Sequence, residues 1–168
     1  MYILVALKRR KDGNDEERCI RYIARNDEDL SKDINILKAI VDQNRSFGDT
    51  WRIYRTVNKR NPYLATKELR YRMLEDVEKV SNSLESTWKT CLLQRKCADE
   101  KNILIDIDTT DIDKLLKVVD EIPQDTILQS NRTPNGHHVI IKRSDTRFLD
   151  KYDYAEAKKD ALFFLTKY

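Results

Sequence analysis

The sequence predicts an α+β fold, with a mixed or antiparallel sheet and helices packed on that sheet. Short apolar runs that suit strands alternate along the chain with segments whose apolar residues recur every three or four positions, as in helices. At least one pair of strand-like runs is separated only by polar turn residues, which is typical of an antiparallel hairpin. The length of 168 residues, with only three Gly and three Pro, fits one ordered domain over residues 1–168.

The first elements are two strands and a helix. Residues 2–7 form an apolar run that predicts a buried strand, and residues 19–24 are its candidate hairpin partner. A helix follows, for which Asn26 or Asp27 provides the N-cap, and its apolar spacing extends to about residue 41.

An alternating strand and a long helix come next. Residues 51–58 alternate between apolar and polar side chains, with Arg55 as the exception on the apolar side. Residues 63–84 carry apolar side chains along one side and charged ones along the other, which predicts one continuous amphipathic helix.

Residues 102–108 are the clearest strand in the sequence, because Ile and Leu fill most of the run. A helix over residues 112–119 follows, with Thr109 or Thr110 as its expected N-cap and Pro123 beyond its end.

The remaining segment is less regular. We expect a short strand at residues 126–129, a polar turn-rich loop at residues 131–136 and a strand at residues 137–142. Residues 154–165 suit either a helix or a strand through residues 161–165.

The charge and cysteine content constrain function only weakly. The net charge is +3, too mild to indicate nucleic-acid binding, although basic residues cluster at positions 8–11 and again between Arg52 and Arg60. Solvated loop charge is the more ordinary explanation for either cluster taken alone. Three cysteines without a signal peptide suggest reduced thiols and a cytoplasmic location, and no apolar run is long enough to imply a membrane partner.

Asp106 and Asp108 are the strongest candidates for chemistry. Residues two apart in a strand point to the same side, so both carboxylates would project from the face opposite Ile103, Ile105 and Ile107. Adjacent carboxylates repel one another and are most easily tolerated beside a cation, and their hard oxygen atoms suit Mg²⁺ or Mn²⁺. The alternative is that the pair merely caps the next helix.

Two further segments carry polar side chains suited to nucleotides. Gly136 opens a strand that begins with His137 and His138, and a glycine there allows close backbone approach while an imidazole can bind phosphate oxygens. Residues 52–60 offer Arg, Tyr and Asn side chains suited to phosphate, sugar or base contacts, or simply to protecting an edge strand.

These three segments, in this order, resemble the archaeo-eukaryotic primase superfamily, and most of all the small primase-polymerase domains of plasmids, phages and mobile elements. The residues that carry the resemblance are Val57-Asn58-Lys59-Arg60, Ile105-Asp106-Ile107-Asp108 and Gly136-His137-His138. It covers roughly residues 50 to 145.

The resemblance implies a sheet core like that of RNA-recognition modules and a nucleotidyltransferase that extends primers with two divalent cations. Asp106, Asp108 and His138 would be catalytic, with His138 on the incoming nucleoside triphosphate. A third metal-binding acid is expected on a later strand, with Asp160 as first candidate and Asp145 or Asp150 as alternatives. Nucleotide and nucleic-acid contacts are expected from Arg52, Tyr54, Asn58, Arg60, His138 and Lys142.

Other functions remain open at this point. The chain could be a non-catalytic nucleic-acid-binding module of the same fold, a metal-dependent nuclease using the same carboxylates, or a small structural or regulatory protein. The family resemblance also leaves room for a replication partner protein that completes the site.

Overall fold

The computed structural model describes residues 1–25 and 30–168, and it confirms the α+β class. The described residues form two four-stranded sheets, and every strand pairing in them is antiparallel. No helix in this part of the chain is long and apolar enough to cross a membrane. The predicted helix cap at Asn26 or Asp27 lies outside the described residues.

The strands are β1 (Tyr2–Lys8), β2 (Arg18–Ala24), β3 (Trp51–Thr56), β4 (Ile103–Ile107), β5 (Ile127–Thr133), β6 (Gly136–Ile141), β7 (Ala155–Lys159) and β8 (Leu162–Lys167). The α-helices are α1 (Leu30–Asp42), α2 (Pro62–Glu75), α3 (Val77–Asn82), α4 (Leu84–Leu92) and α5 (Ile112–Asp120).

The last two strands of the chain belong to different sheets. The first sheet has the order β2-β1-β3-β8, and the second has the order β5-β6-β4-β7. The second order is compatible with the expected RNA-recognition-module-like core, in which a helix follows the first strand. A short 3₁₀ turn at Arg147–Lys151 stands between β6 and β7, where such a core has its second helix.

Helices cover the outer faces of both sheets. In the first sheet, α1 packs Leu37 and Val41 on the side that carries Trp51 and Ile53. In the second sheet, α5 covers the side formed by the three isoleucines of β4. The other side of the second sheet meets the first sheet through a small cluster consisting of Val57, Leu104, Ile140 and Phe163.

The prediction of one helix over residues 63–84 is wrong. Three helices, α2, α3 and α4, occupy this region and extend to Leu92. Asp76 separates the first two, because its side chain accepts a hydrogen bond from the backbone N–H of Lys79 and so caps α3. A carboxylate that caps a new helix ends the periodic pattern without any Gly or Pro to signal the break.

Two local expectations in the second half also need correction. The N-cap of α5 is Asp111, which accepts the backbone N–H groups of Asp113 and Lys114, rather than Thr109 or Thr110. Strand β5 continues to Thr133, so the expected loop at residues 131–136 is largely strand.

The ambiguous segment at residues 154–165 contains no helix. It forms β7 and β8, which belong to different sheets and are joined by a sharp corner at Asp160, whose φ is 60°.

Candidate functional site

A cleft of about 410 Å³ lies where the two sheets meet. Its wall on the second sheet carries Asp106, Asp108, His138 and Lys158. Its wall on the first sheet carries Arg52 and Tyr54, and the loop after β1 adds Arg9 and Lys11. The cleft therefore brings together residues that are far apart in the sequence.

Strand alternation explains why Asp106 faces this cleft. Ile105 and Ile107 are fully buried in the core beneath α5, so the residue between them points to the opposite side of the sheet. The Asp106 side chain is only 12% exposed. Asp108 follows the end of β4, lines the same cleft, and has an exposed side chain.

Both oxygens of Asp106 are engaged by neighbouring side chains. Its Oδ1 lies 3.3 Å from His138 Nε2, and its Oδ2 lies 2.5 Å from Lys158 Nζ. Burial raises the pKa of Asp106, but the hydrogen bonds from His138 and Lys158 outweigh burial, and the pKa falls to about 2. Asp106 is therefore a carboxylate at neutral pH.

His138 is held in one orientation by the first sheet. The backbone N–H of Phe164, in β8, donates a hydrogen bond to His138 Nδ1 over 3.0 Å. Because Nδ1 is an acceptor, the ring proton of the neutral imidazole lies on Nε2, which faces Asp106. A contact between the two sheets thus selects the tautomer at the site.

Gly136 allows β6 to start next to the end of β4. A Cβ atom at this position would lie 1.9 Å from the carbonyl oxygen of Ile107, so no other residue fits without movement of the backbone. The glycine thus permits a close approach of two strands and brings the beginning of β6 against the segment that carries Asp108.

Glu156 is a site residue that the sequence reasoning missed. In the strand register, Asp106 stands opposite His138 on one side and opposite Glu156 on the other, so the three side chains form a row across β6, β4 and β7. Lys158 Nζ lies 2.5 Å from the carboxylates of both Asp106 and Glu156. The alternation of residues 155–159 could have revealed Glu156, had the segment been recognised as a strand.

The structure does not bring Asp160 to Asp106, in contrast to our expectation. Asp160 sits at the corner between β7 and β8, beside the start of β4, and both its oxygens accept from the guanidinium group of Arg60. Asp145 is paired with Arg147 on the surface, and Asp150 lies in the exposed 3₁₀ turn. None of these three acids lines the cleft.

Three of the expected nucleotide-binding residues also lie elsewhere. Asn58 is buried and bonds both the backbone N–H and the carbonyl oxygen of Asn102, and Arg60 is buried against Asp160. Lys142 follows the end of β6 that lies away from His138. Asn58 and Arg60 therefore stabilise the junction of the sheets.

Arg52 and Tyr54, by contrast, do line the cleft. Arg52 and Arg9 share the carboxylate of Asp12, which neutralises one of their two charges. Arg9 Nη2 and Arg52 Nε are buried and have no hydrogen-bond partner among the described residues. Such buried donors are rare in folded proteins, and within the described residues nothing satisfies these two.

Not every basic residue of the cluster at positions 8–11 contributes charge to this wall. Lys8 is buried and paired with Asp49, at 2.8 Å, so it contributes no free charge to the cleft.

Tyr54 packs edge-on against Phe164, with ring centroids 5.6 Å apart, and so supports the residue that holds His138.

The donor chemistry of the row and of the neighbouring Asp108 suits a hard divalent cation, although the side chains are not gathered around one point. Asp106, Asp108 and Glu156 supply carboxylate oxygens, the ligands that Mg²⁺ and Mn²⁺ prefer. Within residues 1–25 and 30–168, however, no three acidic, His or Cys side chains converge closely enough to hold a metal ion. Lys158 lies between two of the three carboxylates and already offsets one of their two charges.

Comparisons of this chain with protein-family models, with curated proteins and with solved structures found no match.

Proposed function

We propose that this protein is a template-dependent nucleotidyltransferase of the primase-polymerase type. The observation that carries the proposal is the row formed by His138, Asp106 and Glu156 across three neighbouring strands, of which His138 and Asp106 share a cleft with basic side chains. Carboxylates on one side and guanidinium groups on the other suit a ligand that combines divalent cations with phosphate groups. A nucleoside triphosphate paired with a template strand is such a ligand.

The cation ligands in this proposal are Asp106, Asp108 and Glu156, with Glu156 in place of Asp160. Bound Mg²⁺ or Mn²⁺ would neutralise the developing charge on the phosphates during transfer. Lys158 must release at least one carboxylate for this, and its aliphatic side chain is long enough to reorient.

His138 would bind the triphosphate through its Nε2–H group, which must first release Asp106. The Phe164 N–H keeps that proton on Nε2, so the imidazole reaches the cleft as a hydrogen-bond donor even when neutral. Its role is to orient a phosphate through Nε2, since Nδ1 already accepts the hydrogen bond from the Phe164 N–H.

The basic wall would bind the remaining phosphates or the template backbone. Arg9 and Arg52 line the cleft, and Lys11 is exposed at its rim. Guanidinium groups with a fixed carboxylate partner are already oriented, so less conformational freedom is lost when an anion binds.

Primer extension on a labelled primer-template with Mn²⁺ or Mg²⁺ and nucleoside triphosphates tests this function. We expect extension by the unaltered protein and loss of about two orders of magnitude or more for Asp106→Ala, because a cation ligand is removed. Asp120→Asn, an exposed acid on α5, is the control and should extend normally. Full activity in Asp106→Ala, or none in the unaltered protein with either cation, would overturn the proposal.

One observation favours a second candidate, a non-catalytic nucleic-acid-binding module. Lys158 satisfies Asp106 and Glu156 without any metal, so the row is compatible with a site that no longer binds cations. In that case calorimetry should show no binding of Mn²⁺, while oligonucleotide binding should weaken steeply with salt. Shortening of the labelled primer in the extension assay would instead indicate a nuclease.

A further inference from the structure

A second pocket, of about 290 Å³, lies at the other end of β4 from Asp106. It is enclosed by the residues that precede β4, by the end of β7, by the segment after β6 and by the 3₁₀ turn Arg95–Cys97. Lys159 stands opposite Ile103 in the register, whereas Glu156 stands opposite Asp106. Ile103 and Asp106 are three residues apart in β4, which corresponds to about 10 Å along the strand.

The pocket is lined by more cations than acids. Five of its side chains are basic and two are acidic. Among the described residues, Arg95, Lys101, Arg143 and Lys159 have no acidic partner, while the fifth cation, Lys96, is paired with Glu68. Four unpaired cations around one concavity repel each other, and an anion that enters relieves this repulsion.

The two acidic residues do not cancel this charge. Asp160 is 7% exposed and is neutralised by two hydrogen bonds from Arg60, at 2.6 and 2.9 Å. The carboxylate of Glu100 accepts a hydrogen bond from the Asn102 side chain. The remaining charge in the pocket is therefore predominantly positive.

The base of the pocket is rigid. Asn58 is 1% exposed and is fixed by hydrogen bonds to the backbone of Asn102 at 2.8 and 3.2 Å. Its amide nitrogen also lies 3.5 Å from Asp160. A fixed polar base with exposed cations around it can bind an anion without reorganising the fold.

We propose that this pocket binds a phosphate group, held by Arg95, Lys101, Arg143 and Lys159. Arg presents a planar fork of donors that matches phosphate oxygens, and Lys adds compact positive charge. The pocket is at the lower end of the size range of ligand sites, roughly 300–1,000 Å³, so it suits one phosphate with its sugar rather than a whole cofactor. The phosphate belongs either to a nucleic-acid strand or to a small free phosphate compound.

Binding in EDTA tests this pocket apart from the candidate catalytic site. Calorimetry would follow inorganic pyrophosphate, and fluorescence anisotropy would follow a short labelled single-stranded oligonucleotide over a range of salt concentrations. The test variant is Arg143→Ala/Lys159→Ala, in which both altered residues are exposed. The control is Lys32→Ala/Lys117→Ala, which removes the same charge from exposed positions on α1 and α5.

The test variant should bind pyrophosphate about tenfold more weakly or worse, or should lower the salt slope of oligonucleotide binding by about 1.4, since each single-strand contact contributes about 0.7. Loss of pyrophosphate binding alone assigns the pocket to a free phosphate, and a reduced slope assigns it to a strand. Unchanged binding in both assays, or equal losses in the control, would overturn the proposal. Because EDTA removes the cations that the proposed enzymatic function requires, failure of that function leaves this result intact.

Discussion

Asp106 stays ionised although its side chain is nearly buried. Burial alone would favour the protonated form, but Lys158 and His138 each donate to one of its oxygens, and the pKa is about 2. The folded-state pKa thus lies below the ordinary value of 3.8. Ionised Asp106 therefore stabilises the folded protein at every pH above about 4, and this contribution disappears as the pH falls towards 2.

The free energy of unfolding should therefore depend on the pH through Asp106. Between pH 7 and pH 2, in EDTA, we expect the stability lost by the unaltered protein to exceed the stability lost by Asp106→Asn by about 2 kcal/mol, because an amide cannot titrate. Urea denaturation at a series of pH values measures the difference. Parallel pH curves for the two proteins would contradict the assignment of the low pKa to Asp106.

Lys158 competes with any cation for the carboxylates of Asp106 and Glu156. Lys158→Met keeps most of the aliphatic side chain and removes the charge, so Mn²⁺ should bind about fivefold to tenfold more tightly, as measured by calorimetry. Without metal the variant should be less stable than the unaltered protein, and Mn²⁺ should restore its melting temperature. Lys117→Met is the control, and an unchanged Mn²⁺ affinity in Lys158→Met would show that Lys158 does not compete.

The sequence could place some of these residues and not others. Alternation within residues 103–107 is sufficient to put Asp106 on the face opposite the core. Lys158 and Glu156 reach Asp106 only through the pairing of β4 with β7, whose residues are about 50 positions later in the chain. No local pattern encodes that pairing, and their segment suited a helix equally well.

Among the elements, the corner between β7 and β8 explains why Asp160 does not lie beside Asp106 as the expected third acid. Asp160 adopts a left-handed backbone conformation, with a φ of 60°, which Asp and Asn tolerate better than most residues. The turn directs β8 out of the second sheet and into the first. The carboxylate then meets Arg60 rather than another acid, so its role is to stabilise the corner.

Asp160→Asn should keep the backbone conformation but leave Arg60 without its ionic partner. Because Arg60 is 1% exposed, we expect the free energy of unfolding to fall by about 3 kcal/mol, as measured by urea denaturation. The Mn²⁺ affinity of the folded variant should be unchanged. Asp120→Asn is the control for stability, and loss of Mn²⁺ binding by folded Asp160→Asn would restore Asp160 as the third acid.

Element types were easier to predict than element ends. The strands β1, β2 and β4 follow directly from apolar runs bounded by charge or turn residues. The break between α2 and α3 depends on the capping carboxylate of Asp76, which the periodic pattern treats as one more charged surface residue. Capping is a local hydrogen bond, so hydrophobic spacing does not detect it.

For the whole molecule, the class could be predicted but the division into two sheets could not. Interleaved strands and helices are enough to indicate α+β. The assignment of β8 to the first sheet depends on its pairing with β3, which lies more than a hundred positions earlier in the chain. The cleft exists because of that pairing, since its opposing walls belong to different sheets.

The hydrogen bond from the Phe164 N–H to His138 makes the candidate site depend on both sheets. The donor is a backbone group, so replacing the Phe164 side chain leaves it in place, whereas separating β8 from β6 removes it. A fragment that stops after β7 would hold every carboxylate of the row and yet lack the donor that selects the tautomer. The choice of protonated nitrogen on His138 is thus made by a strand of the other sheet.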